Sequence, residues 1–338
     1  MSGSDDSMSR REFLKGAAAL GLLVPASACI GDELSLKEPC VPDSESVDGA
    51  RVTCPDGLQG AIQERRLCID TEHGRECYDE VLRFGFGTDL HYADRSTVDD
   101  TLRDGDHKLH DAVTTWNDHD VDFAVMAGDY IDGDVEDTPD NAIGDLKYIE
   151  EIFDELEAPR HYVLGNHDLD ILTKSEFLEH AAADELYYSF DRAGYHFVVL
   201  DLNYEKFADG AGYKRGEFSY LDTWISPAQL EWLERDLEAT DHPTLVFTHQ
   251  RLSREGMHFA ENADEARAIF DAGDVRAVFE GHSHENENTV VDDTQYFCME
   301  AMAEETHPDN AYAIVHLYEG DYLFVEGFGG QKNYLRAL

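Results

Sequence analysis

Several strand-length apolar segments of this chain end in polar side chains that a hydrophobic core cannot accommodate. In "RHYVLGNHDLD" the apolar run stops at Gly165 and is followed by Asn166, His167 and Asp168. The segments "VLRFGFGTD", "VDFAVMAGD", "TLVFTHQ" and "VRAVFEGHSH" end in a similar way. In open α/β sheets the crevice lies beyond the carboxyl ends of the strands. We therefore predict that these strands bring their polar groups to one edge.

Helical patterns lie between several of the apolar segments. "AIGDLKYIEEIFDELE" and "SPAQLEWLERDLEAT" have helical periodicity, whereas the final section, including "AYAIVHLYEGDYLFVEGF", is rich in strands. The hydrophobic content of 42% is ample for a core. The alternation predicts a layered α/β domain with a mixed sheet and helices on the outside.

The chain is strongly acidic, and its acidic residues are not confined to one tail. It has 73 Asp and Glu residues against 26 Lys and Arg residues, a formal net charge of -47. A disordered acidic chain is disfavoured by the aromatic content of 11% and by the regular apolar runs. We interpret it as a globular protein of a halophilic archaeal host, because salt screens the repulsion of an acidic surface. The acidity disfavours non-specific nucleic-acid binding, so no nucleic-acid partner is expected.

Residues 1–29 have the features of a targeting segment. "SRREFLKGAAALGLLVPASAC" pairs Arg10 with Arg11 ahead of a weakly apolar run and resembles a twin-arginine export signal. The run is too short to span a bilayer. We therefore predict a signal peptide, export by the twin-arginine translocase, and a location outside the cell. Two outcomes stay open at Cys29: simple cleavage before it, or lipidation that anchors the protein at the outer face of the membrane.

Cysteine usage agrees with export. Two disulfides are plausible among the four cysteines of a short, loop-like N-terminal stretch, and their pairing is left open. These are Cys40, Cys54, Cys68 and Cys77. Cys298, in "QYFCMEAM", is predicted to be a buried strand residue. Residues 30–78 are thus predicted to be a linker and Cys-rich extension, and residues 79–338 the main domain.

The polar groups at the strand ends form a chemically specific set. They are carboxylates, imidazoles and one amide oxygen, which suit Mn, Fe, Zn, Ni or Co better than a soft metal. Their number exceeds the need of one ion, so two divalent cations that share a bridging carboxylate are predicted. The polar groups delivered by the strand ends are Asp89, His91, Asp129, Asp132, Asn166, His167, Asp168, His249, His282 and His284.

The order of the motifs adds a family resemblance. Asp-x-His, Gly-Asp-x-x-Asp, Gly-Asn-His-Asp, a lone His and Gly-His-x-His resemble the blocks of the calcineurin-like metallophosphoesterase superfamily. The resemblance implies a four-layer αββα sandwich with mixed sheets and a dinuclear centre. It implies that Asp129 bridges two ions, which would be Mn²⁺ or Fe²⁺/Zn²⁺. One ion would also be held by Asp89, His91 and His284, the other by Asn166, His249 and His282.

The same resemblance implies the remaining roles. His167 would donate a proton to the leaving group, and Asp132 would orient His167. The reaction would be hydrolysis of phosphomonoesters, phosphodiesters or nucleotide pyrophosphates by a metal-activated bridging hydroxide, with a small phosphoester or nucleotide as substrate. "YYSFDRAGYHFVVLDLNY" further resembles the branch of manganese-dependent ADP-ribose/CDP-alcohol pyrophosphatases and cyclic-nucleotide phosphodiesterases. A purple ferric site is not expected, because Asp132 stands where purple acid phosphatases carry a Tyr ligand.

Alternatives to this reaction are a non-catalytic metal-binding surface module, a nuclease of the same fold, and a phosphoprotein phosphatase. A nuclease would need a basic groove, and no basic cluster lies near the motifs. Export argues against a phosphoprotein substrate.

Substrate contacts are predicted on loops near the motifs. Candidates are Tyr92, Asn203, His258, and the adjacent Lys214 and Arg215 of "EKFADGAGYKRGEFSY". That segment has an alternative interpretation as a surface loop with incidental charge. Asp94 and Asp170 are interpreted as capping or turn residues.

Overall fold

The computed structural model describes residues 41–42, 51–53, 59–63, 65–71, 74–95, 100–133, 138–204, 223–253 and 259–338. Outside the described residues lie the predicted signal peptide with Cys29, and also Cys40, Cys54, Lys214, Arg215 and His258. Among the described residues, no helix is both long and apolar enough to cross a membrane.

The strands are β1 (Val41–Pro42), β2 (Arg51–Thr53), β3 (Gln59–Gln63), β4 (Arg66–Thr71), β5 (Gly74–Gly87), β6 (Phe123–Ala127), β7 (Arg160–Val163), β8 (Tyr188–Arg192), β9 (Tyr195–Val199), β10 (Thr244–Phe247), β11 (Val275–Glu280), β12 (Glu287–Val291), β13 (Thr294–Cys298), β14 (Ala311–Tyr318), β15 (Tyr322–Gly329) and β16 (Tyr334–Ala337). The helices are α1 (Asp100–Arg103), α2 (Gly105–Asp118), α3 (Pro139–Phe153), α4 (Lys174–His180), α5 (Pro227–Ala239) and α6 (Ala263–Ala272), with a short 3₁₀ helix at His167–Leu169.

The described strands form two sheets. The ten-stranded sheet follows the order β1-β2-β3-β4-β5-β14-β15-β16, with β6 paired to β5 and β7 paired to β6. The six-stranded sheet has the order β12-β13-β11-β10-β9-β8. Both sheets are mixed: β5, β6 and β7 are parallel neighbours in the first, as are β9, β10 and β11 in the second.

Strand β5 connects the N-terminal extension to the main sheet. Residue 79, where the sequence predicted the main domain to begin, lies inside this strand. Cys68 and Cys77 stand opposite each other in the β4–β5 ladder and form a disulfide. The last strands of the extension therefore continue the sheet of the main domain. Cys298 lies in β13 with 1% of its surface exposed, which confirms the predicted buried strand residue.

Helices α2 and α3 cover the outer face of the first sheet. Leu109 and Trp116 of α2 and Leu146 of α3 pack in one buried cluster with Met126 of β6. The Trp116 indole also donates a hydrogen bond of 3.0 Å to the carbonyl of Ala313 in β14. These apolar positions recur on one face of each helix, as expected for helices that lie on a sheet.

Helices α5 and α6 cover the outer face of the second sheet. Leu233 of α5 and Phe270 of α6 pack with Val198 of β9 and Val246 of β10. The layer order is therefore helix, sheet, sheet, helix. The predicted αββα sandwich with mixed sheets is confirmed.

Aromatic side chains fill the space between the two sheets. Phe84 is fully buried, and its ring centroid lies 5.0 Å from that of Phe123 in its own sheet. Across the interface it lies 6.1, 5.4 and 5.6 Å from the rings of Phe197, Phe247 and Phe279. Burial of one such side chain contributes about 1.5–3 kcal/mol to the stability of the fold, so this cluster holds the two sheets packed against each other. The parallel strands of both sheets are thereby presented to one common edge.

Candidate metal centre

The predicted ligands follow the carboxyl ends of five parallel strands. Because the strands belong to two stacked sheets, their ends converge from both sides of the interface. Asp89 and His91 follow β5, Asp129 follows β6, Asn166 follows β7, His249 follows β10, and His282 and His284 follow β11. The structure brings all seven together, and all but His284 are at least nine-tenths buried.

Asp129 lies at the middle of the cluster. Its Oδ1 accepts a hydrogen bond of 2.7 Å from the backbone N–H of His167. Its Oδ2 lies 3.6 Å from Nε2 of His91 and 3.0 Å from Nε2 of His249. One carboxylate oxygen is thus held by the backbone, and the other faces imidazoles from both sheets. This is the arrangement expected of a carboxylate that bridges two ions.

Asp89, His91 and His284 form the first donor group. One ligand atom from each lies within 4.8 Å of the others. The two Nε2 atoms of His91 and His284 are only 3.3 Å apart, and they lie 3.8 and 3.3 Å from Oδ1 of Asp89. Two imidazole nitrogens and a carboxylate that converge in this way fit a divalent cation of intermediate hardness.

Asp129, His249 and His282 form the second donor group, with ligand atoms within the same 4.8 Å limit. Asn166 joins this group, because its Oδ1 lies 3.1 Å from Nε2 of His249. These two donor groups contain the residues that the family resemblance assigns to the two ions. The chemistry of the donor set fits a pair of divalent cations.

Outer partners orient two of the imidazoles. Nδ1 of His249 donates a hydrogen bond of 2.7 Å to the carbonyl of Ala127, and Nδ1 of His284 lies 2.5 Å from Oε1 of Glu304. Since a carbonyl only accepts, His249 keeps Nε2 directed at the cluster with its lone pair available in the neutral form. Carbonyls and carboxylates that fix the tautomer in this way are the usual outer partners of histidines that bind metals. Glu304 was not among the residues singled out from the sequence.

The backbone at the cluster is strained. Five of the donor residues have positive φ angles, a conformation that non-glycine residues rarely adopt. They are Asp89 (54°), His91 (51°), Asp129 (53°), His282 (68°) and His284 (53°). Gly165 is needed for a related reason, since a Cβ at this position would lie 2.0 Å from the backbone N of Asp129. The packed strands hold a loop geometry that an isolated peptide would avoid.

The charges of the cluster support one another. Burial raises the pKa of Asp89, but the positive charge of His249 and hydrogen bonds from His284 and His91 outweigh it and hold that pKa well below its ordinary value. Burial lowers the pKa of His249, but the charges of Asp129 and Asp89 outweigh it and raise this pKa to about 9. The carboxylates are therefore ionised donors.

His167 lies beside the cluster between two carboxylates. Its ring centroid is 4.7 Å from that of His91. Nδ1 lies 3.4 Å from Oδ1 of Asp132, the residue predicted to orient it, but 2.9 Å from Oδ2 of Asp170. The interpretation of Asp170 as a turn residue alone was therefore incomplete: it ends the 3₁₀ helix and also contacts His167. Burial lowers the pKa of His167, but the surrounding carboxylates outweigh it and raise this pKa to about 12.

Asp168 has a positioning role that the sequence interpretation missed. It is fully buried, and its carboxylate accepts hydrogen bonds from the backbone N–H groups of Gly165, Asp129 and Tyr130 at 2.9, 3.1 and 2.8 Å. These bonds tie the loop after β6 to the loop after β7. In the sequence, the position of this carboxylate directly after His167 is the signal that points to a role at the site.

Two predicted substrate contacts lie among the described residues, and both are buried. Tyr92 is 6% exposed, pairs through its backbone with Ile131 and packs on the ring of Tyr148. Asn203 is fully buried; its amide donates to the carbonyl of Leu164, and its Oδ1 accepts from Gln250. The side chain of Asn203 thus stabilises the strand ends beneath the cluster and offers no exposed atom to a substrate.

Comparison with known proteins agrees with this geometry. Residues 82–286 match the family model of "Calcineurin-like phosphoesterase", a stretch that contains all seven clustered donors. A manganese-dependent ADP-ribose/CDP-alcohol diphosphatase of Danio rerio is 24% identical in an alignment 317 positions long; the alignment covers 74% of this chain and 96% of the relative.

Solved structures give the same result for the fold. A dimetal phosphatase from Danio rerio has a TM-score of 0.66 and 22% identity, covering 76% of this chain and 99% of that chain. GAP50, the anchor in the inner membrane complex of Plasmodium, has a TM-score of 0.53 and 14% identity, covering 76% and 88%. The fold is therefore shared by proteins described as a phosphatase and as an anchor, so the site must decide the chemistry.

Proposed function

Because the chain belongs to the calcineurin-like phosphoesterase family and is a phosphoric ester hydrolase, we propose that it splits the pyrophosphate bond of small nucleotide substrates. The sequence alone allowed phosphomonoesters, phosphodiesters and nucleotide pyrophosphates. The relative that is matched over 96% of its length acts on ADP-ribose and CDP-alcohols, which favours the pyrophosphates. Its manganese dependence likewise favours Mn²⁺ over Fe²⁺ or Zn²⁺ as the pair of ions.

The observation that carries the proposal is the position of Asp129. Its Oδ2 lies between Nε2 of His91 and Nε2 of His249, at 3.6 and 3.0 Å, while its Oδ1 is held by the backbone. Asp89, His91 and His284 would hold one ion with it, and Asn166, His249 and His282 the other. Bound there, two divalent cations would lower the pKa of a water and neutralise charge on the phosphoryl group.

The side chains of the protein supply orientation and a proton. The backbone N–H of His167 donates a hydrogen bond to Oδ1 of Asp129, which holds the main chain of His167 beside the donor cluster. Its Nδ1 faces the carboxylates of Asp132 and Asp170, which leaves Nε2 as the nitrogen that can meet a substrate. A proton held at Nε2 would pass to the leaving-group oxygen as its bond to phosphorus breaks. The 36% exposure of this side chain is consistent with access from solvent.

The test is a hydrolysis panel with Mn²⁺ in concentrated salt. ADP-ribose and a CDP-alcohol are compared with bis-p-nitrophenyl phosphate, cyclic AMP and p-nitrophenyl phosphate. We expect the two pyrophosphates to be cleaved fastest, and Asp129→Asn to abolish the activity. Asp118→Asn, an exposed position on α2, serves as the matched control and should be fully active.

Other results would replace the proposal. Preference for p-nitrophenyl phosphate would make the protein a phosphomonoesterase. DNA and RNA are added to the same panel, and preferential cleavage of either would make the protein a nuclease. No turnover in a protein that binds two Mn²⁺ ions per chain would indicate a non-catalytic metal-binding module.

We further propose export in a halophilic host. The support is the twin-arginine pattern within residues 1–29 and the net charge of -47. Replacement of Arg10 and Arg11 by Lys should retain the protein in the cytoplasm. If Cys29 is lipidated, Cys29→Ser should move the protein from the membrane fraction to the medium; an unchanged distribution would indicate simple cleavage.

A further inference from the structure

Two residues that follow β9 in the second sheet contact both ends of a segment that follows β7 in the first sheet. This ligand segment comprises residues 164–174. At its start, the side-chain amide of Asn203 donates a hydrogen bond of 2.8 Å to the carbonyl of Leu164. At its end, the ammonium group of Lys174, the first residue of α4, pairs with Oδ2 of Asp201. The ligand segment is therefore held at two points by one strand tip of the other sheet.

The two contacts belong to one hydrogen-bond network. The backbone N–H and the side-chain amide of Asn203 both donate to Oδ1 of Asp201, at 2.9 and 3.1 Å. Gln229 of α5 fixes the backbone of Asp201, because its side chain donates to the carbonyl at 2.7 Å and accepts from the N–H at 2.9 Å. All three residues are fully buried. A buried carboxylate with both oxygens bonded in this way is a fixed point from which other groups can be positioned.

Lys174 occupies a position that does not favour a cation. The helix dipole disfavours positive charge at the first residue of a helix. Its ammonium nitrogen lies 3.5 Å from the ring centroid of Tyr204, and 15% of its side chain is exposed. The carboxylate of Asp201 is not exposed at all, and a buried charge requires a partner. Since buried ion pairs add little net stability but can specify one arrangement, this pair is suited to fixing where α4 begins.

The network adjoins two donors of the second donor group. Asn166 lies within the ligand segment, between the two held points, and its Oδ1 is 3.1 Å from Nε2 of His249. Gln250, the residue directly after His249, donates to Oδ1 of Asn203 at 2.5 Å. The same buried residues therefore connect the loop that carries one donor to the loop that carries the other.

We propose that Asp201 is a positioning residue of the metal centre. Through Lys174 and Asn203 it holds the ligand segment at both ends. Asn166 is thereby kept beside His249, with which it shares an ion in the proposed function on which this inference rests. Loss of the pair with Lys174 releases the end of the ligand segment at α4, so that Asn166 is less well placed to bind.

The first test measures hydrogen exchange by mass spectrometry in the Mn²⁺-loaded protein and in Lys174→Met/Asp201→Asn. Both charges are removed, because Lys174→Met alone would leave a buried carboxylate without its cation. The N–H groups of Gly165, His167 and Leu169 are hydrogen-bonded, so they exchange only when the segment opens. We expect peptides of the ligand segment to exchange ~10–100-fold faster, as for loss of a hydrogen bond between charged groups. Peptides of β14 should keep the parent rate.

The matched control is Arg160→Met/Glu150→Gln. It removes another ion pair of low exposure, with 2.7 Å between Nη1 and Oε1, at the opposite end of β7. This control should leave the exchange of the ligand segment unchanged. Three results would overturn the inference: no acceleration in Lys174→Met/Asp201→Asn, an equal acceleration in β14, or an equal acceleration of the ligand segment in the control.

The second test is calorimetric titration with Mn²⁺. Because Asn166 belongs to one donor group, we expect Lys174→Met/Asp201→Asn to lower the affinity for one ion by ~10-fold or more and to change the other much less. Unchanged affinity for both ions, or an equal loss for both, would refute the positioning role. Neither measurement needs turnover. If the substrate panel shows no hydrolysis, the proposed function fails, and these two measurements still decide whether Asp201 positions the ligand segment.

Discussion

Arg251 is a buried cation that connects two of the loops at the metal centre, and its removal gives a sharp prediction. It lies two residues after His249 and is 2% exposed. Its guanidinium donates to Glu287 and, at 3.2 Å, to the hydroxyl of Ser283, which lies between His282 and His284 in sequence.

Two further groups complete the surroundings of Arg251. Nε is 3.6 Å from Oε2 of Glu280, a fully buried carboxylate, and the ring of Phe259 lies 5.0 Å from the guanidinium carbon. Arg251→Met keeps the approximate volume but removes the charge, so Glu280 and Glu287 both lose their cationic partner. Breaking a buried ion pair in this way costs about 3–5 kcal/mol. We expect a loss of that size in the free energy of unfolding.

The assay is urea unfolding in concentrated salt, because urea leaves the ionic strength unchanged, with tryptophan fluorescence as the signal. Arg276→Met is the matched control, since Arg276 pairs with the exposed Asp274 and Asp321 and should contribute about 1 kcal/mol or less. Equal, small losses for both variants would refute the reasoning. In the double variant with Glu287→Gln we expect ~1–3 kcal/mol to be recovered, the coupling expected of residues in contact.

Three further predictions follow from single side chains. Burial lowers the pKa of His161 to about 4. The imidazole stacks on the ring of Phe190, with 3.8 Å between the two ring centroids. In the unfolded chain His161 binds a proton below pH 6.5, whereas in the folded protein it stays neutral down to about pH 4. The free energy of unfolding therefore falls as the pH drops from 6.5 to about 4. At about 1.4 kcal/mol per pKa unit the loss is about 3 kcal/mol; His161→Phe should remove this part of the pH dependence in urea unfolding curves, and parallel curves would contradict the assignment. In Gly165→Ala the new Cβ would lie 2.2 Å from Oδ1 of Asp129, so Mn²⁺ affinity measured by calorimetry should fall by ~10-fold or more while the circular dichroism spectrum is kept; unchanged affinity would show that the loop can yield. Trp116→Ala should lower the unfolding free energy by about 3–5 kcal/mol, because this fully buried ring also loses its hydrogen bond to Ala313; a loss below about 1 kcal/mol would mean that the helix layer repacks.

Features that depend only on residues close together in the sequence were predictable from the sequence. Apolar runs that end in Asp, His or Asn indicate strands whose tips carry a site, because a core rejects those groups and the ends of parallel strands share an edge. The layered α/β architecture and the convergence of the seven donors agree with that argument, whereas the four-layer arrangement was implied by the family resemblance. Cys298 was likewise predictable as a buried strand residue, since it lies within an apolar run.

Features that depend on distances between remote segments were decided only by the tertiary structure. The sequence offers both Asp132 and Asp170 to His167, and only the folded chain shows that Asp170 lies nearer to Nδ1, at 2.9 Å against 3.4 Å. Asn203 was expected on the cleft, but the folded strands bury it against Leu164.

The same holds for the N-terminal extension and for Arg251. Nothing local in the extension shows that β4 would pair with the strand that begins the main domain, or that Cys68 would face Cys77. Arg251 carries no motif, yet the stacking of β10 beside β11 surrounds it with carboxylates. Polar residues directly after an apolar run mark the carboxyl end of a strand, so the sequence by itself determined which residues make up the site. Which of several equivalent acids or bases touches which partner depends on ångström differences between distant segments, and only the packed fold determines those.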